Sequence, residues 1–400
     1  MNHHSRRAAI ASLIVLGACA TNSATEEPAP APDTSVASDA GLTDDATPND
    51  GGARDVNLDA ERSLVCGKTG FCETKIPTSD IGEPLSLRAV WVASSNDVWT
   101  VSAEGFILHW DGTSWTTSYR AAHALYAVWG SATDVWAAGE RGLLLHSTSA
   151  SNNGAWTRVE TGHTKDIRGI YGSAPDDVWF GYDGAVEHFD GSTLTSYDLG
   201  NPALRARTLF GRAGYGTYAL YDVPCSPCNF GPISRTLIFE LVPDQIAEVN
   251  SAADRQLGIF PTSAVVTDAP DDEHRFFVFG YQAIGKAWYF AYANFGKVAL
   301  PPVPIPWVRD VSGKESRIGD INGNTYPPPP NLVSWAKSGV DVRVQSAIGV
   351  ANRWDGTDLV AAPAIDMGFD FVPRQLNAIH GNDTDTWLVG DGFALKGPTK

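Results

Sequence analysis

The sequence is poor in positive charge, in cysteine and in long apolar runs. Its 29 Lys and Arg stand against 46 Asp and Glu, a net charge of −17. That balance argues against a nucleic-acid partner, because a phosphate backbone needs a basic surface. Five cysteines are present, and Cys225 with Cys228 forms the one Cys-x-x-Cys. No second ligand pair accompanies it for a zinc site, and no helix start is evident to lower a thiol pKa. The apolar stretches near 276–279 and 287–295 are interrupted by Gly285 and Lys286, so they are expected as core strands and not as a membrane span. Between residues 20 and 62 there is no aromatic side chain at all. Such a segment cannot bury enough apolar surface to offset its ordering entropy. Its ten acidic residues against Arg54 and Arg62 describe a solvated, self-repelling spacer.

What is present begins at the N-terminus. Arg6 and Arg7 precede an apolar run over 8–17 and then small residues, the pattern of a secretory signal. Ten apolar residues are too few for a transmembrane helix. Leu16, Gly17 and Ala18 before Cys19 resemble the lipobox of bacterial lipoproteins. That resemblance implies a signal peptide over 1–18, lipidation of Cys19, and a membrane partner held through that anchor. Ala20, where an Asp would retain the protein at the inner membrane, implies an outer-membrane lipoprotein facing the periplasm or the surface. The competing reading is an ordinary signal cut near Ala18 or Ala20 with Cys19 incidental. Residues 19–62 are then the anchor and tether, and 63–400 the folded domain.

That domain carries a repeat, and with it the whole aromatic content: 13 Trp, 12 Tyr and 16 Phe. Leu87-Arg88-Ala89-Val90-Trp91 with Asp97-Val98-Trp99 recurs as Leu125-Tyr126-Ala127-Val128-Trp129 with Asp134-Val135-Trp136. It recurs again as Ile167-Arg168-Gly169-Ile170-Tyr171 with Asp177-Val178-Trp179, and last as Leu376-Asn377-Ala378-Ile379-His380 with Asp385-Thr386-Trp387. A third apolar strand follows each of the first three, ending at His109, His146 and His188. Asp-Gly turns come after, at Asp111 and Asp190, which suit tight hairpins. Four short strands per unit, at a period of about 40 to 50 residues, predict an all-β fold, a β-propeller. The 208 residues between Trp179 and Trp387 leave room for three degenerate units, near Leu209 to Tyr218, near Phe276 to Tyr292 and near Asp341 to Trp354. Seven four-stranded blades are therefore expected. The last unit lacks its fourth strand, and the segment at 70–76 is expected to supply it, so that strands from both ends of the chain close the ring.

These units resemble the tryptophan-rich β-propeller repeats of myxobacterial lipoproteins and, more distantly, the propellers of photosystem II assembly factors and BNR-repeat sialidases. The resemblance implies the fold and no activity, since one fold hosts many functions. No nucleophile–base pair, metal motif or phosphate loop stands out, so neither catalysis nor a cofactor is expected. The repeated His109, His146 and His188 belong to different blades and are expected to pack, because ligands to one ion must share a site. The repeated Asp97, Asp134, Asp177 and Asp385 are expected to accept hydrogen bonds from turn backbone. With Cys19 lipidated, four cysteines remain, and proximity pairs Cys66 with Cys72 and Cys225 with Cys228, although four cysteines allow three connectivities. The first strand of each unit is expected nearest the axis, which brings Arg88, Tyr126, Arg168 and Asn377 toward the central tunnel as candidate binding residues for an anionic group. The functional expectation is a non-catalytic interaction or ligand-binding module for a protein or glycan. The alternative is a glycan-processing hydrolase or lyase with its site on one propeller face.

Overall fold

The computed structural model describes residues 66–148, 155–224, 234–249, 259–267, 276–284, 287–294, 332–338, 341–346, 351–354, 359–362 and 375–399, with short pieces at 308–309 and 315–316. The predicted signal peptide, Cys19, the tether and the Cys225/Cys228 pair lie outside the described residues.

The chain forms the expected all-β propeller. Each unit folds as an antiparallel meander whose strands follow chain order outward. The first sheet runs Leu87–Ser94, Asp97–Ser102, Phe106–Trp110 and Trp115–Arg120, the second starts at Leu125–Gly130, the third at Ile167–Ala174 and the fourth at Arg205–Arg212. A further sheet starts at Leu332–Ser338, and the last runs Leu376–Gly381, Asp385–Gly390 and Phe393–Pro398. Its fourth strand is Cys72–Thr74, which pairs antiparallel with Phe393–Pro398 so that Cys72 lies opposite Lys396 and Thr74 opposite Ala394.

The expectation of seven four-stranded blades needs correction. Among the described residues six sheets have four strands, and the unit Ile259–Val266, Phe276–Ile284 and Ala287–Asn294 has three. A separate two-stranded ribbon joins Val308–Arg309 to Glu315–Ser316.

The core is divided among the seams between sheets. Alternation along each strand sends one set of side chains toward the preceding sheet and the other toward the next. Trp91, Ile107 and Leu125 fill the first-to-second seam, Trp136, Ile170 and Phe180 the second-to-third, and Trp179, Leu209 and Tyr221 the third-to-fourth. Between the last and first sheets, Trp110, Trp115 and Trp387 meet with ring centroids 5.2 to 5.6 Å apart, edge-on or tilted as aromatic quadrupoles prefer. The Trp115 indole donates to Thr74 Oγ1 at 2.9 Å, and Thr74 Oγ1 donates to the Ala394 carbonyl at 2.9 Å. The N-terminal strand is thereby tied to both sheets.

A second stitch repeats at the inner strands. The fifth residue of the repeat lays its ring on the glycine of the next sheet: Trp91 over Gly130, Trp129 over Gly172, Tyr171 over Gly211 and Trp335 over Gly381. A Cβ on Gly130 would sit 2.6 Å from Trp91, and one on Gly172 would sit 2.6 Å from Trp129. No side chain fits there. At the seam between last and first sheets, His380 and Val92 replace the aromatic–glycine pair, and the Val92 N–H donates to His380 Nδ1 at 3.1 Å.

Candidate site at the tunnel mouth

The innermost strands surround a cavity of about 400 Å³, within the usual range for ligand sites. One feature of the backbone recurs around it. The ladder between the first and second strands slips by one residue between Leu87 and Ala89, Leu125 and Ala127, Ile167 and Gly169, Ala206 and Thr208, Pro261 and Ser263, and Leu376 and Ala378. A bulge leaves one residue out of the pairing and re-aims its side chain. The residues so released are Arg88, Tyr126, Arg168, Arg207, Thr262 and Asn377, and all six line the cavity.

The structure thus gathers the four sequence-predicted residues, Arg88, Tyr126, Arg168 and Asn377, around one opening. Sequence reasoning missed Arg207 and Thr262. Arg207 had a signal: Ala206-Arg207-Thr208-Leu209-Phe210 keeps the apolar–Arg–small–aliphatic–aromatic order of the first and third units.

Charge is distributed unevenly here. The lining includes Arg88, Arg168, Arg207 and Arg212 and, among the described residues, no Asp or Glu. Carboxylates lie behind it and engage the lining groups. Asp166 holds Arg168 Nη2 at 2.9 Å, and Asp222, buried, takes Arg207 through two hydrogen bonds, one from Nη2 at 3.1 Å. The Tyr126 hydroxyl donates to Glu140 at 2.9 Å, while the Arg168 guanidinium lies 4.9 Å from the Tyr126 ring centroid. Burial, and then the Glu140 carboxylate, pushes the Tyr126 phenol up to about 12. Asn377 Nδ2 donates to the Leu87 carbonyl at 2.7 Å and to Asp391 at 3.0 Å. Arg88 differs: its Nε is buried and has no hydrogen-bond partner.

The repeated His and Asp residues have a structural use. His109, His146 and His188 reach Asp97, Asp134 and Asp177 at 3.0, 2.7 and 2.8 Å, and each imidazole stacks on the Trp between them, Trp99, Trp136 or Trp179, at 3.9 to 4.3 Å. Trp99 and Trp179 also donate their indole N–H to the same carboxylates. Arg353 to Asp341 at 2.9 Å and Lys396 to Asp385 at 3.3 Å repeat the arrangement with other cations. The expectation that these aspartates serve turn backbone is corrected for Asp97 and Asp177, whose ring-nitrogen partners hold both carboxyls below the usual range, the imidazole hydrogen bond contributing most. The turn role belongs to Asp111 and Asp190, which accept from the backbone N–H groups of Thr113 and Ser114 and of Ser192 and Thr193. Cys66 and Cys72 form a disulfide, the pairing that proximity suggested. It staples the chain just ahead of the strand Cys72–Thr74.

No protein-family model matches the chain, and no curated protein matches it in sequence. Solved structures do match in fold. YCF48 bound to D1 peptide is similar at 12% identity and a TM-score of 0.53, with 84% of this chain and 100% of that one covered. YCF48 from Cyanidioschyzon merolae gives 14% and 0.51, covering 82% and 99%. The WD40 β-propeller domain of Doa1 gives 11% and 0.50, covering 83% and 98%. At these identities the likeness shows the propeller fold alone. The distant likeness to photosystem II assembly factors seen in the repeat is present at that level.

Proposed function

We propose that this chain is an exported, lipid-anchored β-propeller that works without catalysis as a binding module, taking a protein or glycan ligand at the mouth of its central tunnel through Arg88, Tyr126, Arg168 and Asn377. One observation carries the reading: a cavity lined by four arginines and no described carboxylate, in a chain of net charge −17. Such a positive opening in an acidic surface focuses field toward itself and favours an anionic group on the ligand. YCF48, similar in fold, is seen bound to a peptide, which supports a protein ligand. Cys72–Thr74 pairs with Phe393–Pro398 as the outer strand of the last sheet. The lipobox resemblance, the acidic tether and the myxobacterial type of repeat support anchoring at Cys19 in the outer membrane.

The test is capture from an envelope extract by the wild-type domain and by an Arg88→Ala/Arg168→Ala variant. A partner retained by the first and lost by the second is expected, and equal capture contradicts the reading. For the anchor, Cys19→Ala is expected to abolish labelling by a fatty-acid probe; undiminished labelling contradicts it.

One observation favours the glycan-processing hydrolase as a second reading, since a tyrosine paired with a carboxylate, like Tyr126 with Glu140, serves some glycosidases as nucleophile. The binding reading is preferred because burial and Glu140 raise that phenol and, among the described residues, no carboxylate lines the opening. Release of aryl leaving groups from glycosides, abolished by Tyr126→Phe, would reverse the preference.

A further inference from the structure

We propose that the segment 160–166, which leads from the outer strand of the second sheet to the inner strand of the third, is a pH-sensitive strap: a proton taken up by the buried pair His163 and Glu187 releases Asp166 from Arg168 and so raises the positive charge of the mouth. Its consequence for binding rests on the reading of the mouth given above. The starting observation is a break in the repeat. The residues before His109, His146 and Lys396 are Leu108, Leu145 and Leu395, each closed to solvent, whereas the residue before His188 is Glu187, 2% exposed. A carboxylate in a core position is costly unless it is partnered. Its Oε2 has no hydrogen-bond partner among the described residues, and neither has His163 Nε2, which lies 3.5 Å from Glu187 Oε1. Both atoms are shut away from solvent, so the pair has room for a proton and not for a ligand.

The hydrogen bonds fix where that proton goes. The Lys165 N–H donates to His163 Nδ1 at 3.1 Å, so the neutral ring carries its own hydrogen on Nε2, towards Glu187. A further proton can enter only at Nδ1. There it turns an acceptor into a donor facing the Lys165 N–H, and that bond is lost, while the imidazolium gains the Glu187 carboxylate as its counter-charge. The ring is drawn to Glu187 and Lys165 is let go, with Gly162, at φ +74° and in open space, as the pivot. Asp166 is the next residue. It accepts from the Arg141 N–H at 3.1 Å and holds Arg168 Nη2 at 2.9 Å, so moving this end of the strap leaves Arg168 at the opening without its carboxylate. The other groups around the ring have uses of their own. Tyr182 stacks on it at 4.0 Å, and burial raises that phenol, with Asp198 of the outer strand acting in the same direction. Lys165 Nζ donates to the Asp183 carbonyl at 2.9 Å and Thr161 Oγ1 to the Gly142 carbonyl at 3.2 Å. Glu160 pairs with Arg158 at 3.2 Å, and Glu140 accepts from Tyr126.

The full chain is compared at pH 7.5 and 5.5 with two readouts. One is the protection against hydrogen exchange of the Lys165 and Arg141 amides, which donate to His163 and Asp166, each referred to its intrinsic rate at that pH. The other is the dissociation constant for sulfate, whose own charge is constant over this range. Acid is expected to lower the protection of both amides about tenfold or more and to tighten sulfate about threefold or more, because a histidine changes charge in this interval and the mouth gains a free cation. Glu187→Leu restores the side chain that three other sheets carry; it is expected to melt at an equal or higher temperature and to show neither response. His163→Gln, which cannot titrate, is expected to be as flat. Equal protection of the wild type at the two pH values overturns the inference, and so does a Glu187→Leu protein that responds like wild type. If the strap opens and sulfate binds equally at both, the coupling to Arg168 falls. If the strap opens and sulfate binds at neither pH, the reading of the mouth falls and the strap stands.

Discussion

His146 and Asp134 meet at 2.7 Å with side chains only 18% and 15% exposed, whereas His109 and Asp97 meet at 3.0 Å with 29% and 45% exposed. The same pair of residue types should therefore contribute unequally. His146→Ala leaves a nearly buried carboxylate short of a partner and is expected to cost about 1–3 kcal/mol. His109→Ala exposes its carboxylate to water and is expected to cost under about 1 kcal/mol. Thermal melts of the two variants check the order; equal losses would mean that the stacked imidazole and not the hydrogen bond stabilises. The separation of partners is the legible part of this motif. Asp97 and His109 are twelve residues apart, as are Asp134 and His146 and Asp341 and Arg353, while Asp177 and His188 and Asp385 and Lys396 are eleven apart, and that narrow spacing across a hairpin was available in the sequence. The carboxylate's use was not, because spacing alone does not say whether an aspartate turns toward its own turn or across the strand pair. Arg207 was missed for another reason: its unit keeps the inner-strand order, but its second strand, Gly216–Pro224, lacks the Asp-x-Trp that marked the four clear units.

At the scale of elements, the inner stitch makes a direct test of sheet packing. Gly130→Ala forces a Cβ against the Trp91 ring, and overpacking of this kind costs about 1–3 kcal/mol; chemical denaturation should show the loss with an unchanged slope. The strand Cys72–Thr74 is held by its ladder, by Trp115 and by the disulfide behind it. With Cys66→Ser and Cys72→Ser together, the staple over a short loop is removed, at a cost of about 2 kcal/mol in the chain-entropy account. Hydrogen exchange is expected to quicken at Cys72–Thr74 and at its neighbour Phe393–Pro398 first, leaving the third sheet protected. Uniform quickening would mean that this strand is integral to the cooperative core. The strand Cys72–Thr74, paired with Phe393–Pro398, was legible as an unclaimed segment standing before the first unit. The three-stranded sheet was not legible: Phe276 to Phe279 marked a unit, but nothing in the apolar pattern distinguished three strands from four.

Across the whole molecule, acid stability follows from groups whose protonation differs between folded and unfolded chains. Burial lowers the His380 imidazole to about 4, and its Nδ1 accepts from Val92 across the seam of last and first sheets. The charged groups on the elements packed around it are paired, Lys337 with Asp383 and Asp385 with Lys396. An unfolded histidine takes a proton near pH 6.5, so between about 6.5 and 4 the unfolded state binds more protons and stability falls as pH falls, by at most about 1.4 kcal/mol per pH unit from this one group. Asp97 and Asp177 have lowered folded values; their contribution is complete above the unfolded carboxylate range and is lost only below it, at more acid pH. Denaturation curves between pH 7 and 4 should therefore soften for wild type and flatten for His380→Phe. An unchanged slope in that variant would assign the acid loss elsewhere.

The same ring that makes the seam also makes the opening, and binding at that opening is the central claim. It is tested most directly by placing a photocrosslinking amino acid at position 126, on the tunnel mouth, and at position 215, where Tyr215 is 45% exposed outside the set of residues that line the cavity. With envelope extract as the source, the account expects a specific adduct from position 126, competed by added acetate, and none from position 215. An adduct from position 215 alone, untouched by acetate, would contradict it.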